Sequence, residues 1–258
     1  MLPTPSTSHV NYDHIYEPAE DSYLLLDTLS SDRESTFLKR RFPPHSHAPL
    51  LLEVGTGSGV VLAFATAHAS HILGRSDVSS LGIDINTFAC SATAQTVQGA
   101  VTGPNGDKSG HFLDCICGDL TTSLRPRSID ILIFNPPYVP TEELPAQWND
   151  QSDYKSLSNM DRFDRDSHLL SLSYAGGADG METTDRLLDQ LPHVLSDRGV
   201  AYILLCRQNK PEEVAARVRG WPGATPWQAE IVSSSGKSAG WEKLCILRVW
   251  RLEGNAIP

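Results

Sequence analysis

The sequence predicts an α/β protein in which helices cover both faces of a mostly parallel sheet. Short apolar runs typical of buried strands alternate along the chain with segments of helical periodicity. A glycine-rich turn follows the first of these runs, and acidic or amide side chains stand at the ends of the next ones. Because open α/β sheets bind ligands at the carboxyl ends of their strands, these side chains predict one shared site.

Residues 1–49 are predicted to form an N-terminal extension with a lid helix, ahead of a domain that spans residues 50–258. Pro, Ser and Thr are frequent in residues 1–15, which we expect to be mobile. The helix is predicted to begin near Pro18, because proline is favoured in the first helical turn. Residues 30–49 contain many charges and a Pro-Pro pair, so they are predicted to form a loop.

The first predicted strand, residues 50–54, leads into a glycine-rich turn and then into a helical pattern. The turn reads Gly55-Thr56-Gly57-Ser58-Gly59. Glycines permit positive φ angles and let a ligand approach the backbone closely, and the helix that follows offers unpaired N–H groups. Such a turn suits a dinucleotide, a phosphate or an adenosyl group, and by itself it does not distinguish among them.

Two carboxylates follow the next strands. Asp84 ends the second predicted strand, at the position from which an acidic side chain accepts hydrogen bonds from ribose hydroxyls. Asp119 ends the third strand and is predicted to meet the edge of an adenine ring. Aspartates at strand ends also act as helix caps or turn formers, and that alternative stays open for both residues.

The tetrapeptide Asn135-Pro136-Pro137-Tyr138 follows the fourth apolar run, residues 129–134. Two prolines fix φ and remove two backbone donors, so the Asn135 side-chain oxygen and the Pro136 carbonyl remain as acceptors. Tyr138 can lie flat against a planar group. The tetrapeptide therefore predicts chemistry on an amide or exocyclic amine nitrogen. Asn-Pro also opens ordinary turns, and Pro-Pro stiffens loops, which is the structural alternative.

The rest of the chain contributes further elements. Residues 140–172 are polar and rich in Ser and Asp, so they predict a long insertion, a loop or lid with little regular structure. Residues 102–107 predict a turn-rich surface loop. Two late strands, near 228–233 and 244–249, predict an antiparallel hairpin at one edge of the sheet. Helices are also predicted over 87–98 (with Asn86 as N-cap), 183–195 and 211–219, and a strand over 199–205.

In combination, these motifs resemble a known family. The glycine turn, Asp84, Asp119 and Asn135-Pro136-Pro137-Tyr138 occur in the order seen in class I S-adenosylmethionine-dependent amino-methyltransferases, and they look like the HemK-type protein-glutamine methyltransferases. The segments Tyr16-Glu17-Pro18-Ala19-Glu20-Asp21-Ser22 and Ala175-Gly176-Gly177-Ala178-Asp179-Gly180 resemble the eukaryotic release-factor branch. The resemblance covers nearly the whole chain, except for residues near 98–111 and 140–172.

The resemblance implies a Rossmann-like sheet of seven strands in the order 3-2-1-4-5-7-6, with S-adenosylmethionine as cofactor. It implies N5-methylation of the glutamine in the Gly-Gly-Gln loop of the eukaryotic class I translation termination factor. The catalytic residues would be Asn135, Pro136 and Tyr138. The cofactor-binding residues would be Glu53, Gly55, Thr56, Gly57, Gly59, Asp84, Asp119, Leu120 and Asn135, with Tyr16, Glu17 and Pro18 over the pocket. Those last three also suit a plain helix start, and Gly176 and Gly177 a plain turn.

The resemblance also implies a partner. Strand three, residues 111–117, would be an apolar edge strand, which is an aggregation hazard unless it is covered. The implied cover is a small zinc-binding methyltransferase activator protein, bound as an obligate subunit by strand addition. On this interpretation the chain is poorly soluble when it is expressed alone.

Several other functions fit parts of the pattern. A planar clamp also serves adenine N6 and cytosine N4 methylation of nucleic acid, and a lysine amine is a further possible acceptor. A nonenzymatic adenosyl-binding scaffold and a nicotinamide dehydrogenase share the predicted fold. The intact Asn135-Pro136-Pro137-Tyr138 disfavours the scaffold, and nothing resembles the catalytic residues of a dehydrogenase.

Composition narrows these choices. The formal net charge is −10 and the pI about 5.3, which disfavours unaided binding to the phosphates of duplex DNA. No apolar run approaches the ~20 residues that span a bilayer, and the N-terminus lacks the features of a secretory signal. The 5 cysteines include no Cys-x-x-Cys pair, and the 9 histidines show no metal-binding spacing. We therefore expect reduced thiols in or near the core, no metal site and a cytoplasmic location, with the nucleus as an alternative.

Overall fold

A seven-stranded sheet forms the centre of the protein. The computed structural model describes residues 2–102, 109–145, 158–236 and 243–252. Within these ranges the strand order is β3-β2-β1-β4-β5-β7-β6, which confirms the predicted order. The strands are β1 (Leu50–Val54), β2 (Ser79–Asp84), β3 (His111–Cys117), β4 (Ile129–Phe134), β5 (Leu195–Cys206), β6 (Trp227–Ser234) and β7 (Leu244–Arg251).

Helices pack on both faces of this sheet. They are α1 (Glu20–Ser30), α2 (Asp32–Arg41), α3 (Val60–Ala67), α4 (Ala69–Leu73), α5 (Thr87–Val101), α6 (Asn159–Tyr174), α7 (Glu182–Val194) and α8 (Pro211–Arg219). Short 3-10 turns lie at Ala178–Gly180 and Arg207–Asn209. Neighbouring residues of β1 point to opposite faces, so Leu51 joins one apolar core, which includes residues of α1 and α3, and Leu52 joins the other, which includes residues of α7 and α8.

Parallel pairing brings the ends of three strands together. β1 lies between β2 and β4, and the register places Val54 beside both Ile83 and Phe134. The residues that follow these strands therefore emerge side by side at one edge of the sheet. β7 runs antiparallel to both β5 and β6, which confirms the predicted hairpin at the far edge.

The N-terminal segment is more ordered than its composition predicts. Val10 and Ile15 are buried, and they pack with Ala89 and Ala92 of α5. The segment around Val10 and Ile15 is thus packed against the domain, which its composition does not predict, and the mobility of residues 1–15 stays a prediction. The two apolar side chains find a matching strip on α5, and this long-range contact leaves no periodic signal in the sequence.

One correction concerns residues 30–49, which contain the helix α2 rather than only a loop. Its N-cap is Ser31, whose hydroxyl accepts a hydrogen bond from the Glu34 N–H. Glu34 is 1% exposed, and its carboxylate accepts hydrogen bonds from the Arg248 guanidinium and from the Tyr202 hydroxyl. The pKa of that hydroxyl is raised well above its usual value, by burial first and by the Glu34 charge second. Glu34 of α2 thus belongs to a buried network of charged and polar groups. The composition of this segment predicts charges exposed to solvent instead.

Another correction concerns the polar stretch 140–172. Residues from Asn159 onward form α6, with Ser158 as N-cap accepting from the Asp161 N–H. The expectation of little regular structure is wrong over this part. A polar helix with one apolar stripe has a composition similar to that of a surface loop. Residues 146–157 of the predicted insertion, and 103–107 of the predicted turn-rich loop, lie outside the described residues. The predicted boundaries of the insertion (140–172), of the N-terminal extension (1–49) and of the domain that follows it (50–258) stay predictions.

The cysteines are distributed unevenly. All five are free thiols, and Cys206 and Cys245 are buried as predicted. Cys90 and Cys115 are half-buried, and Cys117 is exposed, because β3 is an edge strand. The expectation that every thiol lies in or near the core is wrong for Cys117. Separately, none of the helices in the described ranges has the length and apolar character needed to cross a membrane.

Candidate active site

A cavity of about 630 Å³ opens where β1, β2 and β4 end. This size lies within the range of small-molecule and cofactor sites. Its wall consists of the loops after these three strands and after β3, the segment leading into α1, one side of α6 and the first turns of α7. The sequence-predicted residues that line it are Tyr16, Pro18, Glu53, Gly55, Thr56, Gly57, Asp84, Asp119, Leu120, Asn135 and Pro136. Three predicted residues, Glu17, Gly59 and Tyr138, are not part of this wall.

The glycine turn after β1 has the backbone that only glycine adopts easily. Gly55, Gly57 and Gly59 have φ angles of 66°, 52° and 77°. Gly59 lies behind the cavity, and a Cβ there would stand 2.6 Å from Thr93 Cα. Gly59 thus permits α3 and α5 to pack closely, while Gly55 and Gly57 expose their backbone to the cavity.

Asp84 ties the glycine turn to the end of β2. Its Oδ2 accepts from the Gly57 N–H at 2.9 Å, and its Oδ1 accepts from the Asn86 N–H at 2.8 Å. Burial raises the pKa of the Asp84 carboxyl, and these backbone donors partly oppose the shift. Each carboxylate oxygen can accept a further hydrogen bond, so Asp84 can bind the turn and a pair of ribose hydroxyls together.

Glu53, in β1, connects this strand to the start of α3 through a hydrogen bond. It is 2% exposed, and its Oε2 accepts from the Leu62 N–H at 2.8 Å, in the first turn of α3. Burial raises the pKa of the Glu53 carboxyl well above its ordinary value. Its carboxylate therefore satisfies a donor at the start of α3 and holds this helix against the end of β1.

Asp119 has a partner that the sequence analysis missed. It forms an ion pair with Arg186 of α7, and both side chains are about half-exposed at the cavity wall. Next to it, Leu120 is 7% exposed and has a φ of 51°. Arg186 gave no signal because it occupies an ordinary polar position of an amphipathic helix.

The Asn135 side chain has a hydrogen-bond partner at only one end of its amide among the described residues. Its Nδ2 donates to Asp21 Oδ2 at 3.1 Å. Its Oδ1 is buried, and no described group donates a hydrogen bond to it. A buried acceptor without a donor is costly, so native proteins keep one chiefly where a ligand or water satisfies it. Asn135 lines the cavity, and its Oδ1 is an unmet acceptor at the end of β4 that is shielded from solvent.

The segment after α6 packs against the backbone of Asn135-Pro136-Pro137-Tyr138. A Cβ on Gly176 would stand 2.4 Å from the Pro137 carbonyl oxygen, and one on Gly180 would stand 2.1 Å from that of Tyr138. Asn209 donates to the Tyr138 carbonyl at 3.1 Å. These glycines let two backbone segments pack directly on each other, which is a more specific role than that of a plain turn.

The helix α6 and the N-terminal segment close one side of the cavity. Arg165, His168, Leu169, Leu172 and Ser173 of α6 line it, and burial lowers the pKa of His168. Neighbouring Asp166 lies 3.0 Å from Nδ1 of His14, whose ring stacks on Phe88 at 4.4 Å between centroids. None of these contacts was predicted, because they join segments far apart in the sequence.

We expect Asp166→Asn to loosen this closure and to speed cofactor release by about 3- to 10-fold, the effect of weakening one side-chain polar contact. Stopped-flow measurement of cofactor dissociation checks it. Asp164→Asn, a nearby exposed α6 position outside the cavity wall, serves as control. Equal dissociation rates for wild type and Asp166→Asn would contradict the closing role.

Comparison with known proteins identifies the family. The chain is 32% identical over 268 residues to the eRF1 methyltransferase catalytic subunit mtq2 of Schizosaccharomyces pombe, covering 100% of this chain and 99% of that protein. It is 32% identical over 257 residues to methyltransferase HEMK2 of Mus musculus, covering 96% of each. The chain belongs to the HemK-type protein-glutamine methyltransferases, eukaryotic release-factor branch. No protein-family model matches it.

More distant comparisons agree with the fold of this HemK-type methyltransferase. A release factor glutamine methyltransferase of Caulobacter vibrioides is 28% identical over 161 residues, covering 62% of this chain and 46% of that protein. The solved N-terminal domain of human METTL16 in complex with SAH superposes with a TM-score of 0.50 at 13% identity, covering 92% of this chain and 72% of that chain. As a member of the family shown by its full-length relatives, the enzyme uses S-adenosylmethionine as methyl donor, and its cavity has the glycine turn and the carboxylate that suit this cofactor.

Proposed function

We propose that this enzyme methylates N5 of the glutamine in the Gly-Gly-Gln loop of the eukaryotic class I translation termination factor. The observation that carries the proposal is the buried Asn135 Oδ1 without a donor, set beside Pro136 in the cavity wall. A primary amide offers two in-plane N–H donors, which match a side-chain oxygen and an adjacent backbone carbonyl. Relatives named for eRF1 and for release factor glutamine methylation support this choice of substrate.

The reaction needs positioning more than it needs a base. S-adenosylmethionine supplies an activated methyl group. The glutamine nitrogen is a weak nucleophile, because its lone pair is delocalised into the carbonyl. Asn135 Oδ1 and the Pro136 carbonyl would accept its two N–H groups and orient the nitrogen, an effect worth up to about 7–11 kcal/mol in favourable cases. The methylated nitrogen becomes acidic and releases one proton to water, so no strong base is required at the clamp.

Two features disfavour the other acceptors. A lysine amine is tetrahedral and must first lose a proton, so it gains little from a planar clamp. Adenine in DNA suits the clamp, but a chain with a formal net charge of −10 repels the phosphates that dominate DNA affinity. We therefore rank adenine N6 and lysine methylation below glutamine methylation.

The test is methyl transfer from labelled S-adenosylmethionine by the full chain, co-expressed with the small zinc-binding activator protein. Three substrates are offered in parallel: the termination factor, the same factor with its loop glutamine changed to alanine, and duplex DNA. We expect label on the intact factor only, and peptide mass spectrometry should place one methyl group on the loop glutamine. Label on DNA or on the altered factor would overturn the proposed substrate.

We also propose that a small zinc-binding activator protein covers β3 as an obligate subunit. Leu113 and Ile116 of β3 are 58% and 38% exposed at this edge of the sheet. Their apolar side chains and the free edge of β3 suit a partner that adds a strand. Because translation termination takes place in the cytoplasm, we place the complex there, with the nucleus as the alternative.

Replacing Leu113 with Asp should prevent co-purification with the activator, because a charge at the centre of an apolar contact is left desolvated. The matched control is Leu252→Asp, at another exposed leucine (45%) just after β7. Co-expression and affinity capture through a tag on the activator provide the measurement. Full recovery of Leu113→Asp, or a soluble and fully active lone wild-type chain, would refute the proposed subunit.

A further inference from the structure

Asp21 is a buried carboxylate that contacts the predicted catalytic side chain. It lies in the first turn of α1 and is 3% exposed. Its Oδ1 accepts from the N–H and the hydroxyl of Ser22, at 2.6 and 3.2 Å. Its Oδ2 accepts from Asn135 Nδ2 at 3.1 Å, across 114 residues of sequence. Asp21 belongs to the N-terminal segment that resembles the release-factor branch, and the resemblance implies no role for it.

The chemistry of this contact determines which way the Asn135 amide points. The two ends of a side-chain amide have nearly the same size, and they differ in that oxygen accepts and nitrogen donates. An ionised carboxylate can only accept hydrogen bonds. Asp21 therefore selects the Asn135 nitrogen as its neighbour, and this choice turns Asn135 Oδ1 away from Asp21.

The opposite orientation would leave the site unable to do its work. It would set two acceptor oxygens against each other at the Asp21 contact. It would also offer the substrate nitrogen an N–H donor in place of an acceptor. An N–H donor there would face the N–H donors of the primary amide and could not accept a hydrogen bond from them. The substrate would therefore no longer be held for methyl transfer.

We propose that Asp21 is a positioning residue for methyl transfer, which holds the Asn135 amide so that Oδ1 faces the substrate nitrogen. The inference rests on the proposed role of Asn135 as acceptor for an amide substrate. It adds to that role the group that makes Asn135 an acceptor rather than a donor. Asp21 acts through Asn135 and needs no contact with the reacting atoms.

The first test is Asp21→Asn in the full chain, assayed with its activator. An amide at position 21 can pair with either orientation of Asn135, so the selection is lost. We expect kcat to fall by about 10- to 100-fold, the range of one hydrogen bond to a charged group, with cofactor affinity nearly unchanged. Asp27→Asn, at an exposed aspartate of the same helix outside the cavity wall, should change kcat by less than about 3-fold.

A swapped pair separates orientation from structural damage. Asn135→Asp alone sets two carboxylates in contact and should be nearly inactive. Combined with Asp21→Asn, it recreates one amide and one carboxylate, and an acceptor oxygen again faces the substrate. We expect the double variant to exceed Asn135→Asp in kcat by about 10-fold or more. Equal activity of the two would overturn the positioning role, whatever the stability of the single variants.

A readout without substrate keeps this inference independent of the substrate assignment. In ¹H–¹⁵N spectra of the labelled chain in complex with its activator, the Asn135 side-chain NH₂ signals are assigned by their loss in Asn135→Asp. They should shift clearly in Asp21→Asn and remain in place in Asp27→Asn. If wild type does not methylate the termination factor, the proposed function fails while these spectra still decide the contact. Unshifted signals with wild-type kcat in Asp21→Asn would overturn the inference.

Discussion

Replacing Asn135 with Ala is expected to abolish turnover, with kcat lowered by at least about 10³-fold. The change removes the buried Oδ1 that has no donor in the protein and that is proposed to bind the substrate amide. Losing one preorganised polar group at a reacting centre costs about 10²- to 10³-fold, and lost orientation adds to that loss. Affinity for S-adenosylmethionine should change little, because Asp84 and the glycine turn are intact.

The measurement is single-turnover methyl transfer, combined with calorimetric titration of the cofactor. Asn11→Ala is the matched control, since Asn11 is an exposed asparagine whose side chain contacts only the nearby Asp13 backbone among the described contacts. Normal turnover by Asn135→Ala would remove Asn135 from the catalytic site. A loss of cofactor binding equal to the loss of turnover would instead make Asn135 a cofactor residue.

Replacing Asp84 with Asn is expected to weaken S-adenosylmethionine binding by about 100-fold or more. The new amide would turn an NH₂ group toward a backbone N–H, either that of Gly57 or that of Asn86. It would also remove the charge from the acceptor proposed for the ribose hydroxyls. Together these losses correspond to about 3 kcal/mol, as expected for buried hydrogen bonds to a charged group.

Asp119→Asn provides the contrast within the same cavity. Asp119 is about half-exposed and paired with Arg186, so its loss should weaken cofactor binding only by about 2- to 5-fold. Titration calorimetry of both variants, with thermal melting to check folding, distinguishes the two carboxylates. A larger loss of affinity for Asp119→Asn than for Asp84→Asn would reverse the roles assigned to them.

Much of the active site could be predicted because its residues follow strand ends. Gly55, Asp84, Asp119 and Asn135 each lie at, or close after, the end of a parallel strand. Parallel pairing then brings them to one edge without any further information. The same rule does not apply to residues contributed from outside the sheet, and Asp21, Arg186 and the wall of α6 were all missed.

The sequence by itself determined the alternation of strands and helices, the hairpin at the far edge, and the side chains at the cavity mouth. These features depend on local periodicity and on turn chemistry, which neighbouring residues specify. Only the tertiary structure decided that the N-terminal segment packs on α5, that α2 and α6 are helices, and that Asp21 meets Asn135. Each of those depends on contacts between segments far apart in the chain, such as Glu34 with Arg248 or His14 with Asp166. Burial and pairing across such distances give charged and polar residues roles that their own segments do not encode.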